Sequence, residues 1–331
     1  METRKVQITG GSTFTVSLPK SWATDNGIKA GSEVAFFKED DSLVLTPNDD
    51  STHIEGTLDI VGLKGDELMR AIVTMYVSGF DIITLETSRV TAEQRRAIRQ
   101  ATQGLVGLEV IEETADRVVL QDLLDSAELS VLNAITRMRL VALTMLKDAV
   151  VALVENDDDL ARDVMERDDD VDRLWFMISR VFRSALRNPT AATEIGLPRE
   201  TTFDYHSSAR QLERIADHAS KIANITLELG EIPEESASAI QTLYEDAATI
   251  VEMAMDALLE EDPERATRLA NDASEQIGDI DEQTRNVDNL IRDLNPQRAQ
   301  LLGLIVDSLS RSADYGGNIA ETALQKAAPR P

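Results

Sequence analysis

Over the first 46 residues, apolar and polar positions alternate with the two-residue period of half-buried strands. Val6 and Ile8 keep this alternation, as do Phe14, Val16 and Leu18, then the stretch Val34 to Phe37, then Leu43 to Leu45. Turn-forming residues separate these runs at Gly10-Gly11-Ser12, Asn26-Gly27, Ala30-Gly31 and Asp40-Asp41. A short helix fits Pro19 to Asp25, with proline in its first turn. Residues 54–122 mix two periods: strands at Ile54 to Leu63 and Phe80 to Thr87, helices at Gly65 to Ser78 and Thr91 to Leu105, and a hairpin from Glu109–Glu113 to Arg117–Gln121. Thr91-Ala92-Glu93-Gln94 is a capping-box start. From about residue 126 the period becomes helical throughout, and Leu132, Ile135, Met138, Ala142, Met145 and Ala149 form one apolar stripe. Six helices fit, at about 126–155, 157–187, 201–229, 234–261, 263–294 and 296–327, with Pro189, Pro198, Pro233, Pro263 and Pro296 marking the breaks.

These changes of period divide the chain into a β segment at 1–50, a small α/β segment of unassigned role at 51–124, and helical sets at 125–230 and 231–331. The two helical sets repeat one another. Leu212 to Asn224 aligns without gaps on Leu309 to Glu321, with identities at Leu212/Leu309, Arg214/Arg311, Ala216/Ala313, Asp217/Asp314, Ile222/Ile319 and Ala223/Ala320. Asp170-Val171-Asp172 likewise matches Asp279-Ile280-Asp281 on the preceding helices. The architecture expected is a multi-domain α+β protein ending in tandem three-helix bundles.

Composition narrows the chemistry. The chain has no cysteine and three histidines, so a bound metal would rest mainly on oxygen ligands, which favours hard cations or iron over structural zinc. Lys plus Arg is 33 against 60 Asp plus Glu, a net charge of −27 with eight lysines, a surface expected of a high-salt, halophilic cytoplasm where concentrated cation screens self-repulsion. No apolar run approaches a membrane span and no targeting segment is read, so a cytoplasmic protein without membrane insertion is expected. Against the acidic background, Met1 to Lys38 holds five basic residues and three acidic ones. Arg4, Lys5, Lys20 and Lys29 are the candidate phosphate-backbone contacts to DNA.

Glu213 and Asp217 stand four residues apart and so share a helical face, which Ser220 and Asn224 continue. The same line in the second set reads Ser310, Asp314, Gly317, Glu321. Asp168 and Asp172 edge the apolar stripe of the preceding helix, and Asp281 takes the place of Asp172 in the second set. Like charges at this spacing repel, and a shared cation reverses the cost. A solvated acidic surface produces such pairs too; their recurrence beside the apolar stripe makes Asp168, Asp172, Glu213, Asp217, Asp281, Asp314 and Glu321 the candidate metal ligands. His218 falls off that face, and Trp175, Phe176 and Phe182 read as core.

Leu212-Glu213-Arg214-Ile215-Ala216-Asp217-His218-Ala219, with its second copy from Arg311 to Glu321, resembles the third-helix signature of the PhoU family over about residues 126–327. The resemblance implies a repressor of phosphate uptake that communicates with a phosphate ABC transporter ATPase or a sensor protein and binds metal through a Glu/Asp-x-x-x-Asp motif. Glu213 and Asp217 carry the first motif; in the second, Ser310 replaces the first acid before Asp314, which implies a thinner site. The ion expected is divalent or trivalent: iron, manganese, magnesium or zinc. Thr13 to Trp22, followed by Gly27-Ile28-Lys29-Ala30-Gly31, resembles an AbrB/SpoVT-type domain, which implies a swapped-hairpin β homodimer that binds DNA; Ser12 stands where many relatives carry arginine. The function expected is a non-enzymatic, phosphate-responsive regulator, transcriptional or transporter-directed, the alternative being an adaptor on the transporter ATPase that does not bind DNA. A bundle di-iron enzyme would need Glu-x-x-His pairs, and no P-loop, GxSxG or HExxH motif occurs.

Overall fold

The structure, a computed structural model, describes residues 2–39, 42–47, 53–124 and 130–329. The expected Asp40-Asp41 turn, the boundary near residue 50 and the start of the helix at 126 lie outside them. The chain divides into two compact units, 1–53 and 54–331.

In the first unit, β1 (Gln7–Thr9) pairs antiparallel with β2 (Thr13–Thr15), setting Ile8 opposite Phe14. Gly10 and Gly11 turn the hairpin at φ 64° and 85°, a region that glycine enters without steric cost. Helix α1 (Lys20–Asp25) follows Pro19, and β3 (Val34–Glu39) pairs with β4 (Ser42–Pro47). Val16 and Leu18, expected in a strand, lie beyond the end of β2. No described residue of this unit is buried. Ile8 is 65% exposed, Phe14 73% and Leu43 58%, so the alternating apolar positions are left uncovered by the described residues of this unit.

The second unit opens with β5 (Glu55–Asp59), α2 (Gly65–Val77), β6 (Ile82–Glu86), α3 (Ala92–Gln103), β7 (Leu108–Glu113) and β8 (Arg117–Asp122). The strands lie in the order β5-β6-β8-β7, with β5 and β6 parallel across the α2 crossover and the other pairs antiparallel. The capping box forms as expected: the Gln94 amide donates to Thr91 Oγ1, and the Thr91 amide donates to Gln94 Oε1. Ile60, Leu68, Ile72, Tyr76, Ile83 and Leu85 are wholly buried between sheet and helices.

Eight helices follow among the described residues: α4 (Val131–Glu155), α5 (Asp158–Glu166), α6 (Asp168–Arg187), α7 (Pro189–Ile195), α8 (Arg199–Leu229), α9 (Glu234–Leu259), α10 (Pro263–Ile291) and α11 (Pro296–Ala327). Helix α4 packs with α5, α6 and α8, and α9 with α10 and α11, while α8–α11 and α4–α9 contacts join the two sets around one continuous core. Three expectations change. The helix expected at 157–187 breaks at Arg167 into α5 and α6. Arg167 bonds Asp148 and Asp163 there, and the three aspartates 168–170 take the first turn of α6, where exposed amides favour negative charge. Its counterpart α10 is unbroken. The two-proline loop after α6 forms α7. Leu132, expected in the core stripe, is 46% exposed, while Ile135, Met138, Ala142, Met145 and Ala149 are buried.

The α/β layer is fixed to the bundle by Arg180 of α6. This side chain is 7% exposed; its Nη1 donates to the Tyr76 and Phe80 carbonyls at 2.9 Å, Nη2 meets Asp81 at 2.6 Å and Nε meets Asp122 at 2.7 Å. Phe176, one turn earlier on α6, packs against the α/β core.

Candidate cation site and nucleic-acid face

Helices α6 and α8 bring Asp168, Asp172, Glu213 and Asp217 within electrostatic reach of one another. The sequence places each on the edge of its helix facing the seam; packing supplies the encounter. Glu213 is buried at 8% exposure, Asp168 and Asp172 are half-buried, and Asp217 is at the exposed rim. Burial first, then the charge of Asp217, pushes the Glu213 carboxyl up to about 7, with Arg210 opposing. Burial, then Asp168 and Asp217, pushes Asp172 up to about 6. Asp168 is raised by burial and by Asp217, with the Ser220 hydroxyl drawing it back. Partial desolvation raises Asp217, and Arg210 and Arg214 hold it down.

Arg210 holds this cluster in place. Its Nη1 lies 2.6 Å from Glu213 Oε1, and its guanidinium sits 5.3 Å above the Trp175 ring. Trp175 in turn meets His206 at 4.8 Å between centroids, and His206 stacks on Phe182 at 4.4 Å. These aromatics are half-buried, and Trp175 packs against the bundle core, as its reading as core expects. The other carboxylate oxygen, Glu213 Oε2, is buried without a hydrogen-bond partner. A buried carboxyl oxygen without a partner is costly; Arg210 offsets the charge through the other oxygen, and a proton or a cation would satisfy Oε2. Among the described residues no group of three or more His, Asp or Glu side chains is placed to hold a metal ion as it stands. The donor set fits a hard cation by chemistry, with Glu213 Oε2 as the atom in need of one.

The second set is arranged differently. Asp314 and Glu321 are exposed and line an open cleft of about 1000 Å³ together with Arg214, Arg311, Tyr315 and Asn318. Asp281 is exposed on α10 and does not line this cleft; Ser274, Ile277 and Gly278 are the α10 residues that do. The identity Asp170-x-Asp172 with Asp279-x-Asp281 gives helix register, not rotation about the helix axis, and rotation decides which residues meet α11. His218 lies outside the carboxylate cluster: its Nε2 is 3.4 Å from the Tyr315 hydroxyl, and burial lowers its pKa. Arg210 and Arg180 were missed by sequence reasoning. The signal for Arg210 was available, three residues before Glu213 and so on the same face; Arg180 has none, because all its partners lie on distant elements, Tyr76, Phe80 and Asp81 about 100 residues away.

In the first unit Arg4, Lys5, Lys20 and Lys29 are all exposed, and Arg4 pairs with Glu2.

The fold and site thus define a tandem helical-bundle protein with an acidic α6–α8 seam and an N-terminal β module. A PhoU domain profile matches residues 135–226, and a profile described as antidote-toxin recognition MazE, bacterial antitoxin, matches residues 7–52. Among solved structures, PhoU from Pseudomonas aeruginosa superposes with a TM-score of 0.51 at 25% identity, over 59% of this chain and 93% of that one. The phosphate transport system regulatory protein PhoU from Streptococcus pneumoniae gives 0.47 at 21%, over 59% and 91%. No curated protein sequence matches the chain. The chain therefore carries a PhoU domain and an N-terminal MazE/AbrB-type domain, and its structural neighbours are PhoU proteins. No helix among the described residues is long and apolar enough to cross a membrane.

Proposed function

We propose that this protein is a non-enzymatic cytoplasmic regulator of phosphate uptake. Its first helical set takes up a divalent or trivalent cation, and its N-terminal unit forms a homodimer that binds DNA. The observation that carries the sensing half is the buried, unpartnered Glu213 Oε2 amid Asp168, Asp172 and Asp217. A cation held by these four would neutralise their mutual repulsion and relieve Arg210 of its role as counter-charge. The homodimer is supported by a unit of 53 residues that buries none of its described side chains and leaves Ile8, Phe14 and Leu43 more than half exposed. Sheet faces of that kind are covered by a second chain. DNA contact would follow from Arg4, Lys5, Lys20 and Lys29, doubled by the dimer. Communication with a transporter ATPase or sensor protein rests on the likeness to PhoU proteins.

Elemental analysis and calorimetric titration with magnesium, manganese, zinc and iron test the sensing half. We expect about one strong cation site per chain in the intact protein, abolished in Glu213→Ala/Asp217→Ala and retained in Asp314→Ala. Unchanged uptake in the double variant would refute it. Gel shift of fragments from phosphate-transport promoters tests the second half; absence of a shift at any cation condition, with an ATPase subunit still captured, would favour the transporter adaptor.

A further inference from the structure

Helix α4 carries a second stripe opposite its core face. Asn133, Thr136, Leu140, Leu143 and Lys147 succeed one another at steps of three, four, three and four residues, the spacing of a helix–helix seam. The stripe borders an open groove of about 640 Å³ whose far wall is α9, through Tyr244, Ala248 and Glu252. Arg139 of α4 bridges the two walls to Asp256 at 2.6 Å. Leu140 is 68% exposed, more than any other large apolar side chain described in residues 54–329. The electrostatics are equally local. Residues 131–147 contain three basic side chains and no acidic one, in a chain with 60 acids among 331 residues. Arg137 and Lys147 are exposed at the groove and form no ion pair with described residues.

We propose that the α4–α9 groove is a docking site for one acidic amphipathic helix of a partner protein. Leu140 would insert into its apolar stripe over a floor formed by Leu143, which packs on the bundle core, while Arg137 and Lys147, about 15 Å apart along α4, engage carboxylates on its flanks. The groove favours a helix over an extended peptide, because no unpaired strand edge is offered and the seam spacing runs for four turns. It favours an acidic one because three basic side chains, Arg137, Arg139 and Lys147, line the groove against one acid, Glu252, on a strongly acidic protein. This surface does not depend on the cation reading, since Asp168, Asp172, Glu213 and Asp217 lie on α6 and α8.

Two measurements on the full chain test it. The first is fluorescence anisotropy with an 18-residue labelled peptide that carries leucines at three-four spacing and glutamates on the flanks. A sister peptide with lysines in place of glutamates is the control. The glutamate peptide is expected to bind at least tenfold tighter, and Leu140→Glu or Arg137→Glu/Lys147→Glu to weaken it at least tenfold. Since these positions are exposed, circular dichroism should be unchanged. The second places a photo-crosslinking residue at position 140 in cells, with the joined peptide sequenced. An acidic segment with helically spaced leucines, lost in Arg137→Glu/Lys147→Glu, is expected. Failure of both peptides to bind, equal binding of the two, indifference to the charge reversals, or a crosslink to a second copy of this chain or to a non-acidic segment overturns the proposal.

Discussion

Helix α8 carries Glu213 and Asp217 one turn apart; α11 carries Ser310 and Asp314 in the same register. In the first set the acids converge with two more from α6; burial raises all four, and the charge of neighbouring acids adds to it at Asp168, Asp172 and Glu213. In the second, Asp314 and Glu321 look into an open cleft shared with Arg214 and Arg311. The helices above them differ as well. Gly316 and Gly317 stand where α8 has Ala219 and Ser220. A Cβ on Gly316 would come within 2.9 Å of Ile250 and 3.1 Å of the Val251 backbone, so α11 lies closer on α9 than an alanine allows. A duplicated element can thus keep its sequence line while one copy specialises in charge and the other in packing.

Four changes probe this contrast, in order of expected size. The second half of α6 holds the α/β layer through Arg180, whereas the matching position of α10 is Asn289. Arg180→Ala strands the Asp122 carboxylate, 6% exposed, and should cost about 3–5 kcal/mol in denaturant unfolding. Asn289→Ala should cost under about 0.5 kcal/mol; equal losses would show that the two second helices bear the same load.

Glu213→Gln addresses the charge. The folded Glu213 carboxyl titrates at about 7, above its ordinary 4.5, so the folded state binds this proton more strongly than the unfolded state. Its stabilising effect is full below the unfolded value and is lost as pH rises through the folded one. In cation-free protein, the variant should gain on wild type between pH 5 and pH 8, by up to about 3 kcal/mol at the upper end. His206 acts in the opposite sense: its pKa is lowered to about 4, chiefly by burial, so its contribution grows as pH rises from there toward 6.5. Only the difference between variant and wild type isolates Glu213, and a pH-independent difference would remove the repulsive cluster from the account.

Gly316→Ala should destabilise by about 1–3 kcal/mol through overpacking against α9, while Ala219→Gly on α8 costs only about 1 kcal/mol of helix propensity. Matching losses would erase the packing distinction. Smallest in stability is Ser310→Glu, which restores the missing acid at a half-buried position and should cost under about 1 kcal/mol by like-charge repulsion with Asp314. Calorimetry should then detect a second, weaker cation equivalent; its absence would mean that Arg311 and the open cleft, not the serine, set the second copy apart.

Much of this was written locally in the chain. The period of apolar residues gave the β segment, the mixed segment and the helices, because a strand or helix exposes its own repeat whatever surrounds it. Thr91 and Gln94 declared the start of α3, and four-residue spacing put Glu213 and Asp217 on one face. What the local pattern could not state is how each helix is turned about its axis and what it meets. Packing exposed Leu132 and Leu140 on α4 and left Asp281 outside its cleft. It also carried Arg180 to carbonyls about 100 residues distant. Periodicity fixes an angle within a helix; burial, pairing and the orphaned oxygen of Glu213 arise between helices, and only the assembled fold sets those.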